Sequence, residues 1–413
     1  MKLFQINTIV NSGSTGRITE DIGNVAIENG HESYIGYGRG NQSSKSKLIK
    51  IGTTKDVYIH GLKTLFLDRH GLGSKKATKQ FITQIEECKP DVIGLQNIHG
   101  YYLNYQVLFD YLKKHQLPVI WTFHDCWPFT GHCSYFEMVA CEKWITHCEK
   151  CPQKSSYPKS FNDRSFNNYR DKKISFVGLK NLHIITPSYW LKGKVKQSFL
   201  KDYTVEVIHN GVDLNRFRFL NKELPKTNII LGVASIWDKR KGLADFIKLR
   251  ESISNKFQIV LIGLNDSQIK KLPKGIVGIQ RTESIEELVA WYNKAMVFVN
   301  PTYTDNFPTT NIEALACGTP VITYNTGGSP EAIDGSTGIV VEKGNVQKLK
   351  NAIEEVCKKG KENYSYLCRE RAEKLFNKDE RFQEYINLYT KLLVSSLKDV
   401  MISAIFFCAE KLE

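Results

Sequence analysis

The sequence predicts an α/β protein made of two doubly wound, parallel-sheet domains facing each other across a cleft. Three observations carry this. Short apolar runs of strand character alternate with amphipathic helical stretches through both halves, the pattern of a parallel sheet covered by helices. A turn-rich stretch, Asn210 to Lys226, separates the halves. A length of 413 residues with 41% apolar content suits two or three domains with sizeable cores.

In the first half the expected strands are Leu3 to Ile9, Tyr34 to Tyr37, Val92 to Gln96, Val119 to Phe123, His183 to Thr186 and Val205 to His209. Helical patterns lie between them, as at Ala77 to Cys88 and Tyr105 to His115. The second half repeats the scheme. Its strands are Asn228 to Ala234, Gln258 to Ile262, Val277 to Gln280, Val297 to Asn300, Val321 to Tyr324 and Gly338 to Val341. From Leu349 onward the chain reads as helix. Ligands of such sheets bind beyond the carboxyl ends of the strands, so the loops there hold the candidate chemistry.

No run approaches the ~18 continuous apolar residues of a membrane span. The longest candidate near the end, Val400 to Ala409, is much shorter. Met1 to Val10 is too short for a leader and runs straight into a turn at Asn11-Ser12-Gly13. A cytoplasmic protein is therefore expected. The formal charge of +14 asks for a partner. The lysines are spread and no nucleic-acid motif is visible, so nucleic acid is excluded. The inner face of an anionic membrane fits better. Trp190-Leu191-Lys192-Gly193-Lys194-Val195-Lys196 joins an aromatic anchor to three lysines, and anionic lipid attracts such clusters by ~1 kcal/mol per basic residue. A solvated helix face is the alternative.

The most informative segment runs from Asp305 to Pro330. Pro301 stops the preceding strand. Asp305 or Asn306 is expected to cap a helix whose first position is Pro308. Gly318 closes that helix and Pro320 prevents its restart. Its bare N-terminus suits a diphosphate. Two carboxylates, Asp305 and Glu313, stand eight residues apart. One lies in the loop and the other two helical turns in, so both can face one cleft. The simpler alternative for Asp305 is an N-cap alone. Lys239, Arg240 and Lys241 follow the strand at Asn228 to Ala234. Arginine offers a fork that matches phosphate oxygens, and lysine a compact charge. The first strand ends in Asn11-Ser12-Gly13-Ser14-Thr15-Gly16-Arg17 before a helix. Small residues there let the backbone approach an anion closely, or simply make a tight turn.

Of ten cysteines, Cys133, Cys141, Cys148 and Cys151 fall close together. In a reducing compartment clustered thiols point to metal rather than disulfides. A structural zinc on the four thiolates is expected, with His132 and His147 as alternative ligands. Reduced thiols under a loop are the other reading. Cys126 is expected to be packed, and Cys88, Cys317, Cys357, Cys368 and Cys408 to act as small apolar residues.

Four motifs occur in order: Thr122-Phe123-His124-Asp125, His209-Asn210-Gly211-Val212-Asp213-Leu214-Asn215-Arg216-Phe217, Lys241-Gly242, and Asp305 with Glu313. Together they resemble the retaining GT-B glycosyltransferases of family GT4, above all the bacterial enzymes that assemble colanic-acid-type and capsular polysaccharides. The resemblance implies the GT-B fold. Residues 1–212 would be an acceptor-side domain, and 213–377 a nucleotide-sugar domain. A tail, 378–413, would cross back to the first. The cysteine segment, about 126–160, is absent from the general family pattern and would be an insertion. The reaction implied is transfer of a hexose from a UDP- or GDP-sugar to a glycan or glycolipid acceptor, specifically a lipid-diphosphate-linked oligosaccharide.

By the same resemblance His124 lies near the sugar's C6 hydroxyl, Asp305 touches the donor sugar and Glu313 binds the ribose hydroxyls. Asn306, Phe307, Thr309 and Thr310 offer backbone N–H groups to sugar and phosphate. Gly13, Ser14 and Gly16 lie under the donor phosphates. The family's usual arginine after the strand is replaced here by Ser235 and Ile236, so Arg240 is expected to substitute. Asp305 stands where glutamate is commoner. No Asp-x-Asp pair occurs in the chain, so catalysis is expected to need no metal. The rivals are a nucleotide-sugar epimerase, a glycosyl phosphorylase and a noncatalytic sugar- or polyanion-binding protein. The phosphorylase would need a pyridoxal phosphate lysine context, which is not seen. The binding protein gives no reason for pairing Asp305 with Glu313.

Overall fold

A computed structural model describes residues 1–40, 42–220 and 227–409, with side chains to residue 395. The chain divides into two compact units. The first comprises Met1–Pro187, Leu191–Ile208 and the chain from Phe382 onward. The second comprises Ser188–Trp190 and His209–Arg381.

The first unit holds β1 (Lys2–Ile9), α1 (Gly13–Glu28), β2 (Glu32–Arg39), β3 (Lys47–Lys50), α2 (Thr54–Leu67), α3 (Lys75–Cys88), β4 (Val92–Leu95), α4 (Tyr105–His115), β5 (Val119–Thr122), α5 (Ser165–Phe176), β6 (Leu182–Thr186), most of α6 (Tyr189–Gln197) and β7 (Thr204–Val207). The strands form one sheet in the order β3-β2-β1-β4-β5-β6-β7. Every pairing is parallel. β4 and β5 are buried at every residue, as strands covered by helices on both faces must be. Among the described residues, the one strand the sequence reading omits is β3. It is a short edge strand with two exposed lysines, so it carries no burial signal.

The second unit holds β8 (Ile229–Val233), α7 (Leu243–Ser252), β9 (Gln258–Ile262), α8 (Asp266–Ile269), β10 (Ile276–Ile279), α9 (Ile285–Lys294), β11 (Val297–Asn300), α10 (Thr309–Ala316), β12 (Val321–Tyr324), β13 (Gly338–Val341), α11 (Val346–Lys359) and α12 (Glu362–Phe376). Its sheet runs β10-β9-β8-β11-β12-β13, again all parallel. Both units are therefore Rossmann-like. In each sheet the strand order reverses once beside the first strand, between β1 and β4 and between β8 and β11. Crevices form at such switch points.

The last helix, α13 (Lys378–Ala409), begins in the second unit and joins the first at Phe382. There Phe382, Tyr385, Ile386 and Tyr389 share a core with Leu3, Ile22 and Ile120. The Asn-Gly-Val-Asp stretch anchors to the start of this helix. Val212 N–H donates to the Phe376 carbonyl at 2.7 Å, and Lys378 N–H to that of Val212 at 3.1 Å. A Cβ on Gly211 would lie 2.4 Å from Lys378 Cα, so only glycine fits. Residues 221–226 of the expected separator lie outside the described residues, as do the side chains of Val400 to Ala409, Cys408 among them.

Candidate functional site

The second unit builds its site at the β8/β11 switch point. After β8, Asp238 caps a single turn of helix, Lys239–Lys241, accepting from the Arg240 and Lys241 N–H groups at 3.0 and 3.2 Å. Two cations thereby point at the loop after β11. Lys241 Nζ lies 2.6 Å from Asp305 Oδ2. Arg240 Nη1 donates to the Thr304 carbonyl at 3.0 Å and lies 3.5 Å from the same Asp305 oxygen. Burial pushes the Asp305 carboxyl up, but Lys241 and Arg240 outweigh it and hold it below the usual carboxylate range.

The loop is clamped from behind. Gly328 N–H donates to the Asp305 carbonyl at 3.1 Å. Gly327 has φ +53°, and a Cβ there would stand 1.8 Å from the Asp305 carbonyl oxygen. Phe307 is buried, stacked on His209 with centroids 4.8 Å apart. Asn210 Nδ2 donates to the Phe307 carbonyl at 3.1 Å. The stretch around His209 and Asn210 thus positions the Asp305–Phe307 loop as well as tying down the start of α13.

The helix start differs from expectation. Pro308 is the N-cap and α10 opens at Thr309, with no side-chain cap. Asp305 is therefore no cap; its carboxylate belongs to Lys241 and Arg240. Asn306 and Phe307 are buried, while Thr309 and Thr310 are half-buried at the helix start. Glu313 stands about one turn into α10, not two. Tyr292 Oη donates to Glu313 Oε2 at 3.0 Å. The sequence reading missed Tyr292, which lies on α9, and Asp238. The Asp238 signal was legible, since aspartate just before a short helical turn is an N-cap pattern. Nothing local marks Tyr292, whose role depends on α9 lying beside α10.

The first unit places its candidates at its own switch point. Gly13, with φ +59°, opens α1 after β1. Gly13 and Ser14 are exposed, whereas Gly16 is buried with Ile9 and Asn11 near 3.3 Å of its added Cβ, so α1 packs closely on the strand end. His124 follows β5. Its Nε2 lies 2.8 Å from Gln96 Oε1. Gln96 Nε2 donates to Gln5 Oε1 at 3.3 Å, and Gln5 Nε2 to the Thr19 carbonyl at 2.9 Å. This chain leaves Gln96 Oε1 as an acceptor, so His124 carries its proton on Nε2. Burial pushes the His124 imidazole down to about 4, which keeps it neutral.

Asp125 Oδ2 lies 2.8 Å from His99 Nε2, and His99 Nδ1 lies 2.9 Å from Tyr157 Oη. Gln96, His99, His124, Asp125 and Trp127 line one cavity. Sequence reasoning missed Gln96 and His99, which only the β4–β5 pairing brings to His124 and Asp125.

Cys133, Cys141, Cys148 and Cys151 line a single cavity with His132. No described cysteine is in a disulfide. As they stand, no three His, Cys, Asp or Glu side chains among the described residues are grouped to hold a metal ion. The Trp190–Lys196 patch is partly engaged within the fold. Lys196 Nζ donates to the Lys201 and Tyr203 carbonyls at 2.9 and 2.7 Å, and Lys194 Nζ lies 5.9 Å from the centre of the Trp144 ring. Among the described residues no helix is long and apolar enough to cross a membrane.

Known proteins match the chain on both sequence and fold. Residues 15–216 match the family model for Glycosyltransferase Family 4, and residues 227–359 the model for Glycosyl transferases group 1. The chain is 24% identical over 420 residues to the putative colanic acid biosynthesis glycosyl transferase WcaC of Escherichia coli K12, covering 95% of this chain and 100% of that one. It is 27% identical over 238 residues to the capsular polysaccharide biosynthesis glycosyltransferase CapM of Staphylococcus aureus, covering 52% of this chain and 62% of CapM. In fold it is similar to sucrose-phosphate synthase from Thermosynechococcus elongatus, with a TM-score of 0.72 at 17% identity over 95% of this chain and 99% of that one. It is also similar to Anabaena HepE in complex with UDP-glucose, with a TM-score of 0.65 at 13% identity over 95% and 100% of the two chains.

Proposed function

Because this chain belongs to glycosyltransferase family 4 and is a transferase, we propose that it moves a hexose from a nucleotide-diphosphate sugar to a lipid-linked glycan during surface polysaccharide assembly, with retention of anomeric configuration. The names of WcaC and CapM support the polysaccharide setting. The UDP-glucose bound to HepE supports a nucleotide-sugar donor and puts UDP-sugars first among candidates, ahead of GDP-sugars.

The observation that carries the reading is the pairing of Lys241 and Arg240 with Asp305 beside the start of α10. Cleavage of the sugar–phosphate bond develops negative charge on the departing diphosphate. Arg240, Lys241 and the N–H groups at Thr309 and Thr310 neutralise it. In the free enzyme Asp305 holds both cations in place. An arriving diphosphate competes for them and frees the carboxylate to meet the sugar. Glu313 accepts from the ribose hydroxyls, oriented by Tyr292. With the positive charge on the leaving side, the departing phosphate takes the acceptor's proton on the face it leaves. His124, neutral and tethered to Gln96, serves a sugar hydroxyl.

Membrane contact belongs to the same reading, on a different surface from the Trp190–Lys196 patch. α2 buries only His60 and Thr64. Tyr58, Ile59, Leu62 and Phe66 remain exposed, and Phe66 meets exposed Phe161 with centroids 5.6 Å apart. An apolar face on a chain of charge +14 suits the surface of an anionic leaflet. The test is a panel of UDP- and GDP-sugars offered with a lipid-diphosphate glycan acceptor. Transfer from one donor, lost in Asp305→Asn, is expected. No turnover of any nucleotide sugar would end the proposal.

A further inference from the structure

The long segment between β5 and α5 contains no strand and no α-helix, only single turns at Trp127–Phe129, Glu137–Val139 and Lys143–Ile145. Such a segment has few backbone ladders to hold it. What it has instead is a common cavity lined by Cys133, Cys141, Cys148 and Cys151. The thiols of Cys133 and Cys151 lie within hydrogen-bonding reach of one another, although far apart in the local chain path. The Gly131 N–H points at Cys148 Sγ from 3.2 Å. A Cβ on Gly131 would lie 2.6 Å from Cys148 Cβ and 2.2 Å from the Ser165 carbonyl oxygen, so this approach depends on glycine. A backbone N–H aimed at sulfur can partner the charge of a metal-bound thiolate.

A second observation comes from His132. Its Nδ1 lies 2.6 Å from Asp68 Oδ1, and both side chains are fully buried. Its Nε2 is buried without a hydrogen-bond partner, and the residue is one of those lining the cavity. A buried polar atom left without a partner costs about 1–3 kcal/mol, so it calls for one. A carboxylate that fixes a histidine ring beside a ligand cluster is a common feature of the surroundings of bound metals.

We propose that Cys133, Cys141, Cys148 and Cys151, which line one cavity but are not yet grouped around one point, draw together on one zinc ion as thiolates, with the Asp68–His132 pair supporting them from behind. Each thiol releases its proton to solvent as the sulfur binds, so the step balances without an oxidant. Four thiolates make a closed tetrahedral site, which is structural rather than catalytic. Asp68 holds the His132 ring at Nδ1 and so fixes its position beside the cluster. The ion fastens the segment that carries Tyr157, whose hydroxyl meets His99 in the first-unit cavity.

The test is zinc content of the full chain purified without chelator from zinc-supplemented culture. About one zinc per chain is expected. Titration of this wild-type protein with a thiol-reactive mercurial should release the zinc in step with thiol modification. The paired variant Cys148→Ser with Cys151→Ser should retain less than about a tenth of the wild-type zinc. His132→Gln should keep most of it but release it faster to a chelator. Zinc-free wild-type protein, or a Cys133–Cys151 disulfide in its place, would overturn the site. Loss of zinc in His132→Gln with retention in Cys141→Ser would overturn the four-thiolate ligand set.

Discussion

Lys241 Nζ and Asp305 Oδ2 stand 2.6 Å apart and join two loops 64 residues distant in sequence. Each loop leaves a neighbouring strand, β8 or β11, where the sheet's connection order reverses. The pair is shielded, with 17% and 15% of the two side chains exposed. It is therefore stronger than a surface ion pair, and either partner left alone would be a costly charge.

Asp305→Asn should lower kcat more than it changes KM. A lost charged hydrogen bond of ~1.5–3 kcal/mol predicts a fall of roughly 10- to 100-fold. Lys241→Met should lower kcat/KM by a similar factor. In a double-mutant cycle on thermal stability the two changes should couple by about 0.5–3 kcal/mol. Additive effects would show that the contact does not hold the loops together.

Glu313→Gln should weaken donor binding, with kcat/KM down roughly 10- to 100-fold, because a neutral amide replaces a charged acceptor. Tyr292→Phe removes a single hydroxyl that donates to Glu313 and should cost about 0.5–1.5 kcal/mol, or up to tenfold. Donor affinity measured by calorimetry checks both. Wild-type affinity in Glu313→Gln would remove this residue from the donor site.

Gly327→Ala should distort the loop that carries Asp305. The left-handed backbone alone costs a side chain about 1–3 kcal/mol, and the new Cβ would overlap the Asp305 carbonyl oxygen. A lower melting temperature together with reduced kcat is expected. Gly335→Ala, where nothing lies within 4 Å of the added carbon, is the control and should leave activity unchanged.

Acid should destabilise the first unit before its carboxylates titrate. Burial pushes both His60 and His124 down to about 4. His60 Nε2 accepts from the Gly71 and Gly73 N–H groups, each at 3.1 Å, so it cannot hold a proton there without losing both bonds. The unfolded chain binds these protons near pH 6.5. Between about 6.5 and 4 the unfolded state therefore carries more protons, and stability falls as the pH drops through that window. Each histidine contributes up to about 1.4 kcal/mol per pH unit. Denaturant midpoints from pH 7 to 4.5 should fall steadily. A flat profile would contradict burial of the neutral rings.

The product of an α-linked UDP-hexose should be α-linked, read from its anomeric proton by NMR. A β-linked product would overturn retention. On the proposed mechanism, in which Arg240, Lys241 and the α10 start neutralise the leaving diphosphate, turnover should persist in EDTA when exposure is too brief to affect the proposed cysteine site.

Much of this was legible in the chain itself. Buried parallel strands such as Val297–Asn300 and Val321–Tyr324 are short, mostly apolar runs rich in β-branched residues beside Pro301 and Pro320, so composition and punctuation identify them without any partner. The acidic pair, the basic run at Lys239 to Lys241 and the cysteine cluster were equally visible, because each is a local concentration of one chemistry. Tertiary structure alone decided what those groups touch. Asp305 could have capped its helix, since an aspartate before Pro308 satisfies that local rule. The β8–β11 pairing brings Lys241 to it instead, and a charged partner outweighs a cap. Gln96 reaches His124, and His99 reaches Asp125, because β4 and β5 lie side by side. Tyr292 reaches Glu313 from another helix. Local sequence specifies backbone state over a few residues, whereas these contacts depend on register between strands and on packing between helices. Those are long-range choices, made by burial of the whole core.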